Sequence, residues 1–204
     1  EAPGVRVLDA STAHRTAPDW VFGLPELAVG QRDAIRGAPR VANPGCYSTG
    51  FVLAVRPLVD AGLLEPERTV TVHGLSGHSG GGRAMIDRYA EAARAGVAGV
   101  VPARLYGLGL DHKHRPEMQR YGGLARAPLF LPTVAPHYKG MLVSVPLPRD
   151  LLTRTVGAEE LVALLAERYE DERCVEVIRP DGRAALEDGF LDPEACNDTN
   201  RVEL

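Results

Sequence analysis

From Thr49 onward, apolar Phe51, Val52, Val55, Leu58, Val59 and Leu63 recur three and four positions apart, the period of a helix with one buried face. Pro57 falls inside this repeat and predicts a kink, and Gly62 predicts its stop. A second amphipathic repeat runs from Glu159 to Tyr169, its apolar stripe read as core, and the stretch Arg83 to Ala95 is rich in alanine and charge; both are expected to be helical. Elsewhere the pattern shortens to runs of β-branched and apolar residues. Val5 to Leu8, Arg40 to Ala42, Thr69 to Leu75, Leu129 to Val134, Met141 to Leu147 and Cys174 to Ile178 are the expected strands. Ala135-Pro136-His137-Tyr138-Lys139-Gly140 reads as a long hairpin loop between two of them, while Leu147 to Gly157 and Arg179 to Glu187 read as polar loops. Strands and helices interspersed in this way predict an α/β (α+β) fold, with a mixed, largely antiparallel sheet and helices on one face.

Composition narrows the class without changing that picture. The chain has 204 residues, 45% hydrophobic and 25% charged, enough for one sizeable core or one domain and a half. A formal net charge of -4 gives no electrostatic case for nucleic acid. No apolar run approaches the roughly 20 residues of a membrane span, and Glu1-Ala2-Pro3-Gly4 lacks the regions of a signal peptide, so a cytoplasmic location is expected. Cys46, Cys174 and Cys196 form neither a zinc-type spacing nor an even disulfide framework, which points the same way.

Cys46 is the residue on which the chemistry turns. It stands in Val41-Ala42-Asn43-Pro44-Gly45-Cys46-Tyr47-Ser48-Thr49-Gly50, where a strand ends in Asn-Pro-Gly and the long helical repeat begins. Free N–H groups and the positive end of the helix dipole favour thiolate over thiol there, so a lowered pKa and a nucleophilic role are expected. The alternative is a buried structural cysteine. No strand, glycine-rich turn and helix of the dinucleotide-binding kind appears; the dense glycine cluster, Gly77 to Gly82, follows the cysteine helix and carries paired serines and a terminal arginine instead.

The run Ala42-Asn43-Pro44-Gly45-Cys46-Tyr47 resembles the active-site signature of N-acetyl-gamma-glutamyl-phosphate reductases. Val72-His73-Gly74-Leu75-Ser76-Gly77-His78-Ser79-Gly80-Gly81-Gly82-Arg83 is similar to that family's Ser-Gly-x-Ser-Gly-x-Gly-Arg loop. Tyr106-Gly107-Leu108-Gly109-Leu110-Asp111-His112-Lys113-His114-Arg115-Pro116-Glu117-Met118 is similar to its His-x-His-x-Pro-Glu segment. The opening Val7 to Arg15 and the stretch Trp20 to Leu27 fit the shorter, type 2 subfamily. Ser48 departs from a proline often found there and Gly81 from a common alanine, and neither change removes a reacting group.

The resemblance implies a glyceraldehyde-3-phosphate-dehydrogenase-like catalytic domain. It divides the chain into 1–45, the end of an NAD(P)-binding Rossmann domain; 46–195, the catalytic and substrate domain; and 196–204, the start of a segment returning to the nucleotide domain. On this reading the chain is an internal piece of a longer enzyme, inactive by itself. The implied reaction is NADPH-dependent reduction of N-acetyl-gamma-glutamyl phosphate to N-acetyl-L-glutamate 5-semialdehyde, in arginine biosynthesis, through a thioester on Cys46. Catalytic roles fall to Cys46 and to His112 as acid/base; Arg83 and His114 are the expected substrate-binding residues, and Ser79 and Gly80 the expected cofactor contacts. The expected partners are NADPH, a small acyl phosphate and further copies of the chain in a dimer or tetramer, with neither nucleic acid nor membrane.

Several residues keep a plainer reading. His112 is equally a surface histidine in a charged loop, and Arg83 a solvated first-turn helix residue. His112 and His114 form a His-x-His pair, but no third ligand sits at a recognisable spacing, so no metal is expected. Two other functions use the same residues. One is a non-catalytic module that oligomerises or pairs with a separate nucleotide-binding chain; the other is a cysteine-dependent acyl hydrolase, in which water resolves the thioester.

Overall fold

The computed structural model describes residues 4–96, 101–179, 186–187 and 189–204. The chain opens with a small parallel sheet in the order β1-β3-β2, formed by β1 (Val7–Asp9), β2 (Val21–Phe22) and β3 (Arg40–Ala42), with the short helix α1 (Gln31–Gly37) between the last two. Strand β3 leads through Asn43-Pro44-Gly45 into the long helix α2 (Cys46–Asp60). This helix starts three residues earlier than its apolar repeat. The Gly45 carbonyl accepts from the Thr49 amide at 2.9 Å, closing the first turn before any apolar side chain is required.

A four-stranded sheet forms the second layer, in the order β5-β6-β4-β7, from β4 (Thr71–Gly77), β5 (Arg104–Leu105), β6 (Leu129–Ala135) and β7 (Met141–Ser144). β4 runs parallel to β6 and antiparallel to β7, while β5 is antiparallel to β6. The sheet is thus mixed, with two of its three pairings antiparallel. The expected hairpin of the two strands flanking residues 135–140 does not form: β4 lies between them. Both neighbours satisfy the polar backbone of β4, and the intervening loop passes over its C-terminal end, where the Gly77, His78 and Ser79 amides donate to the carbonyls of Gly140, His137 and Tyr138.

Alternation along the strands separates the two faces. Val72 and Phe130 point inward against Phe51, Val52 and Val55 of α2, all buried, whereas His73, Leu129 and Leu131 are exposed on the opposite face. Helices α4 (Arg115–Gly122) and α5 (Ala158–Arg168) pack against α2, and α3 (Arg83–Arg94) follows the glycine cluster. The remaining strands are short: β8 (Val175–Glu176) pairs in parallel with β11 (Val202–Glu203), and β9 (Leu186–Glu187) with β10 (Phe190–Leu191). Of the polar loop expected over Arg179 to Glu187, residues 180–185 lie outside the described residues.

Candidate active site

The turn that carries Cys46 is held at both ends. Before it, the Asn43 amide donates to the Asp9 carbonyl at 2.8 Å, continuing the β1–β3 pairing past the strand. After it, the chain enters α2 with Gly45 as N-cap in extended conformation (φ -73°, ψ 145°) and Cys46 as the first helical residue. Glycine has no side chain to cap the helix, and the closure comes from elsewhere. Oε2 of Glu117, on α4, accepts from the Gly45 amide at 2.8 Å, and the Ser48 hydroxyl lies 2.7 Å from the same oxygen and 2.8 Å from the Gly45 carbonyl. Oε1 accepts from Arg15 Nη1 at 3.0 Å, and the Arg15 guanidinium also reaches the Ala10 carbonyl. The Glu117 carboxylate is 1% exposed, so its fixed neighbours must supply what water would; two of them, Arg15 and the Gly45 amide, can only donate to it.

Only glycine fits at position 45. A Cβ there would lie 2.5 Å from His114 Nε2 and 2.7 Å from Arg15 Nη1, both closer than van der Waals contact allows. This places His114 and Arg15 directly against the residue preceding the thiol. His114 is 4% exposed, and burial, with His112, Arg15 and Lys113 as nearby charges, pushes its pKa down to about 3. His112 is half-buried and is also moved below the ordinary histidine range, by burial first and by Lys113 second. Its Nδ1 accepts from the His114 amide at 3.2 Å, which puts the proton of the neutral ring on Nε2. The segment 111–115 is therefore mixed: Asp111 and Lys113 are exposed as its charge suggests, while His114 is core.

Tyr47 links the cysteine to both histidines and to the glycine cluster. Its ring meets His114 edge-on at 5.8 Å, His112 at 6.0 Å and Phe130 at 5.0 Å. Gly74 makes room for it on β4, where a Cβ would come within 2.6 Å of the ring. The Tyr47 hydroxyl donates to Ser76 Oγ at 2.7 Å, and the Tyr106 ring lies 5.7 Å from that of His112. Burial raises the pKa of both tyrosines, so both remain neutral donors and acceptors at physiological pH.

The thiol does not follow the expectation drawn from its helix position. Cys46 is exposed, yet the surrounding protein removes enough water from the sulfur for desolvation to raise its pKa. The amides of Tyr47 and Cys46 and the charges of Arg15 and Lys113 oppose the rise without cancelling it.

The other expected site residues are distributed around this centre. Ser79 and Gly80 lie in a single 3-10 turn, His78–Gly81, directly after Gly77. A Cβ at Gly80 would meet Ser76 Oγ at 3.7 Å, so the turn borders the Tyr47 side of the site. Arg83, the first residue of α3, extends into solvent and pairs through Nε with both Asp87 oxygens, at 2.9 and 3.0 Å. It makes no hydrogen bond or ion pair with the Cys46 turn or the two histidines. The glycine cluster also fails as a phosphate cradle, because the amides of Gly77, His78 and Ser79 are already spent on residues 137–140. The start of the glycine cluster therefore does not fit the pyrophosphate of a dinucleotide. Among the described residues there is no group of three or more side chains able to hold a metal ion, and no helix is long and apolar enough to cross a membrane.

Glu117, Arg15 and Tyr47 were not singled out by the sequence, although all three lie inside the motif windows quoted from it.

Comparison with known proteins agrees with this architecture. An N-acetyl-gamma-glutamyl-phosphate reductase of Burkholderia cenocepacia is 46% identical over 203 residues, covering 99% of this chain and 63% of that protein. N-acetyl-gamma-glutamyl-phosphate reductase 2 of Pseudomonas putida is 45% identical over 204 residues, again 63% of its length. The chain thus spans under two thirds of the curated relatives it matches. Among solved structures, aspartate semialdehyde dehydrogenase from Francisella tularensis superposes with a TM-score of 0.64 at 15% identity, over 96% of this chain and 63% of that one. Aspartate semialdehyde dehydrogenase II from Vibrio cholerae gives 0.62 at 18%, over 85% and 55%. These likenesses show a shared fold. Residues 46–204, from the cysteine onward, match the model described as semialdehyde dehydrogenase, dimerisation domain, and the chain belongs to that family.

Proposed function

We propose that this chain carries the acyl-transfer centre of an NADPH-dependent N-acetyl-gamma-glutamyl-phosphate reductase, which makes N-acetyl-L-glutamate 5-semialdehyde in arginine biosynthesis. The observation that carries the reading is the placement of Cys46 as first residue of α2, on a turn packed directly against His114. The names of relatives that align with 99% of the chain support the substrate and the pathway. In this reading the Cys46 thiolate attacks the acyl carbon, a C–S bond forms, the bond to the phosphate oxygen breaks, and inorganic phosphate leaves. NADPH, when bound, would supply a hydride to the acyl carbon, after which the C–S bond breaks, returning the Cys46 thiolate and releasing the aldehyde. His112 is the acid/base: with Nδ1 occupied by the His114 amide, Nε2–H is the group free to donate to a substrate oxygen. His114, neutral and wedged against Gly45, orients; Arg83 meets the anionic end of the substrate by exchanging Asp87 for it; Ser79 and Gly80 border the cofactor's ring.

The domain division at residue 45 goes with this function, as does a cytoplasmic location, where the three free cysteines stay reduced. Assembly into a homo-oligomer is the other part of it. The sheet face away from α2 presents Leu105, Leu129 and Leu131, 38 to 48% exposed, and a second copy of the chain is the partner we assign to it.

The test is Cys46→Ser in the intact reductase, assayed for phosphate release from N-acetyl-gamma-glutamyl phosphate and for NADPH oxidation. Both are expected to vanish with the fold intact. A serine variant that keeps more than a few per cent of turnover removes Cys46 from the nucleophile's role.

A further inference from the structure

The buried carboxylate of Glu117 has no place in the reaction steps above, yet three hydrogen bonds from three different residues converge on it. It receives the Gly45 amide and the Ser48 hydroxyl on one oxygen and Arg15 on the other, and it is almost wholly shut off from water. A buried ion pair is a poor device for stability alone, since an apolar pair of the same volume serves as well. Its geometry suggests a more specific use. Gly45 and Ser48 flank the thiol on either side, one residue before it and two residues after, so a single oxygen braces the turn from beneath. The amides of Cys46 and Tyr47 lie between those braces and act to favour the thiolate.

We propose that Glu117 is the positioning residue of the nucleophile: by holding Gly45 and Ser48 through Oε2, with Arg15 balancing its charge, it aims the Cys46 and Tyr47 amides at the sulfur. Arg15 comes from the loop after β1 and Glu117 from α4, 102 positions later, so the brace also fixes the first sheet against the helix that follows the two histidines. The charged and titratable groups that face the thiol are Arg15, Lys113 just before α4, Tyr47 on its own helix and Tyr106 from the segment after β5, with His112 and His114 reached through Tyr47. Glu117 acts on the sulfur through the backbone.

The proposal deepens the reading of Cys46 as a nucleophile, but its test reads the thiol itself, without substrate or cofactor. Iodoacetamide alkylation of the Cys46 peptide in the full chain, followed by mass spectrometry across pH, gives a titration midpoint unaffected by Cys174 and Cys196. Glu117→Asp keeps the charge beside Arg15 but withdraws the carboxylate by one methylene from Gly45 and Ser48. Its midpoint is expected to rise by about one pH unit, the worth of one hydrogen bond to a charged group. Ser48→Ala removes one of the two braces without touching charge and is expected to raise the midpoint by a few tenths of a unit. If Glu117→Asp lowers the melting temperature and leaves the midpoint where it was, Glu117 is structural only and the proposal is overturned. Should Glu117→Asp fail to fold, Ser48→Ala decides, and an unmoved midpoint there overturns it equally. Because no turnover is measured, the proposal and the reductase reading fail on separate results.

Discussion

Tyr169 donates its hydroxyl to the backbone carbonyl of Leu53 across 2.7 Å. Leu53 is four residues before Pro57, whose ring nitrogen has no hydrogen to give, so this carbonyl in the middle of α2 has lost its helical donor. Tyr169, just after α5, replaces it from outside the helix, and the bond fastens α5 to α2. Burial pushes the Tyr169 pKa up to about 12, so the phenol remains a donor throughout the working range. Tyr169→Phe leaves the carbonyl buried and unpaired and is expected to destabilise the chain by about 1–3 kcal/mol in urea unfolding. Adding Pro57→Ala, which restores the missing amide, should recover much of that loss. If the double variant is no more stable than Tyr169→Phe, the hydroxyl is not replacing the proline's donor.

The contrast between Phe51 and Glu117 shows what the chain discloses in one dimension. Phe51 belongs to a repeat of six apolar positions spaced for one helix face, and α2 lies where that spacing puts it. Cys46 was legible for a related reason, because Asn-Pro-Gly is turn chemistry and a helix must begin after it. Glu117 follows His-Lys-His-Arg-Pro, a run whose charge reads as solvent-facing. Its burial depends on Arg15, a partner no local window contains. The hairpin read across residues 135–140 failed similarly: both flanking strands are real, but β4, some fifty residues earlier in sequence, outcompetes each for the other. The helix dipole argument at Cys46 gave the wrong net direction, since it counted the amide donors and omitted the protein packed around the sulfur.

Mild acid should destabilise this chain through His114. The folded pKa, about 3, lies below the unfolded value of about 6.5, so between those limits the unfolded chain binds more protons and stability falls as pH falls. From pH 7 to pH 5 the loss is about 2 kcal/mol from this residue, with a smaller contribution of the same sign from His112. Urea melts at the two pH values are expected to show that difference, and His114→Asn should flatten it. A wild-type chain equally stable at pH 5 and pH 7 would contradict the neutral, buried histidine.

The glycine cluster predicts a binding result as well. With the Gly77, His78 and Ser79 amides held by residues 137–140, the start of the glycine cluster offers no ready set of donors for a pyrophosphate. Titration calorimetry of the 204-residue chain with NADPH is expected to show binding far weaker than micromolar, and an assay with substrate to show no turnover. Affinity on the order of micromolar would mean that the loop at 135–140 moves aside or that residues beyond the described ones supply the cradle.

The two histidines make separable demands on the kinetics. His112 has one ring nitrogen occupied by the His114 amide and the other carrying a proton, which suits a group that donates to a substrate oxygen. His114 has its side chain buried against Gly45 and a pKa far below neutrality, which suits a group that shapes the turn and never exchanges a proton at working pH. In the intact reductase, His112→Asn is expected to lower kcat by about two to four powers of ten, the range for a lost proton-transfer group, while His114→Asn mainly raises KM. The pH profile gives a second reading. His112→Asn should abolish an ionisation below the ordinary histidine range in kcat, whereas His114→Asn should leave it in place. If His114→Asn cripples kcat and His112→Asn only weakens substrate binding, the roles exchange, and the proton must then travel through the unpartnered Nδ1 of His114, the one nitrogen of the pair that is buried without a hydrogen bond.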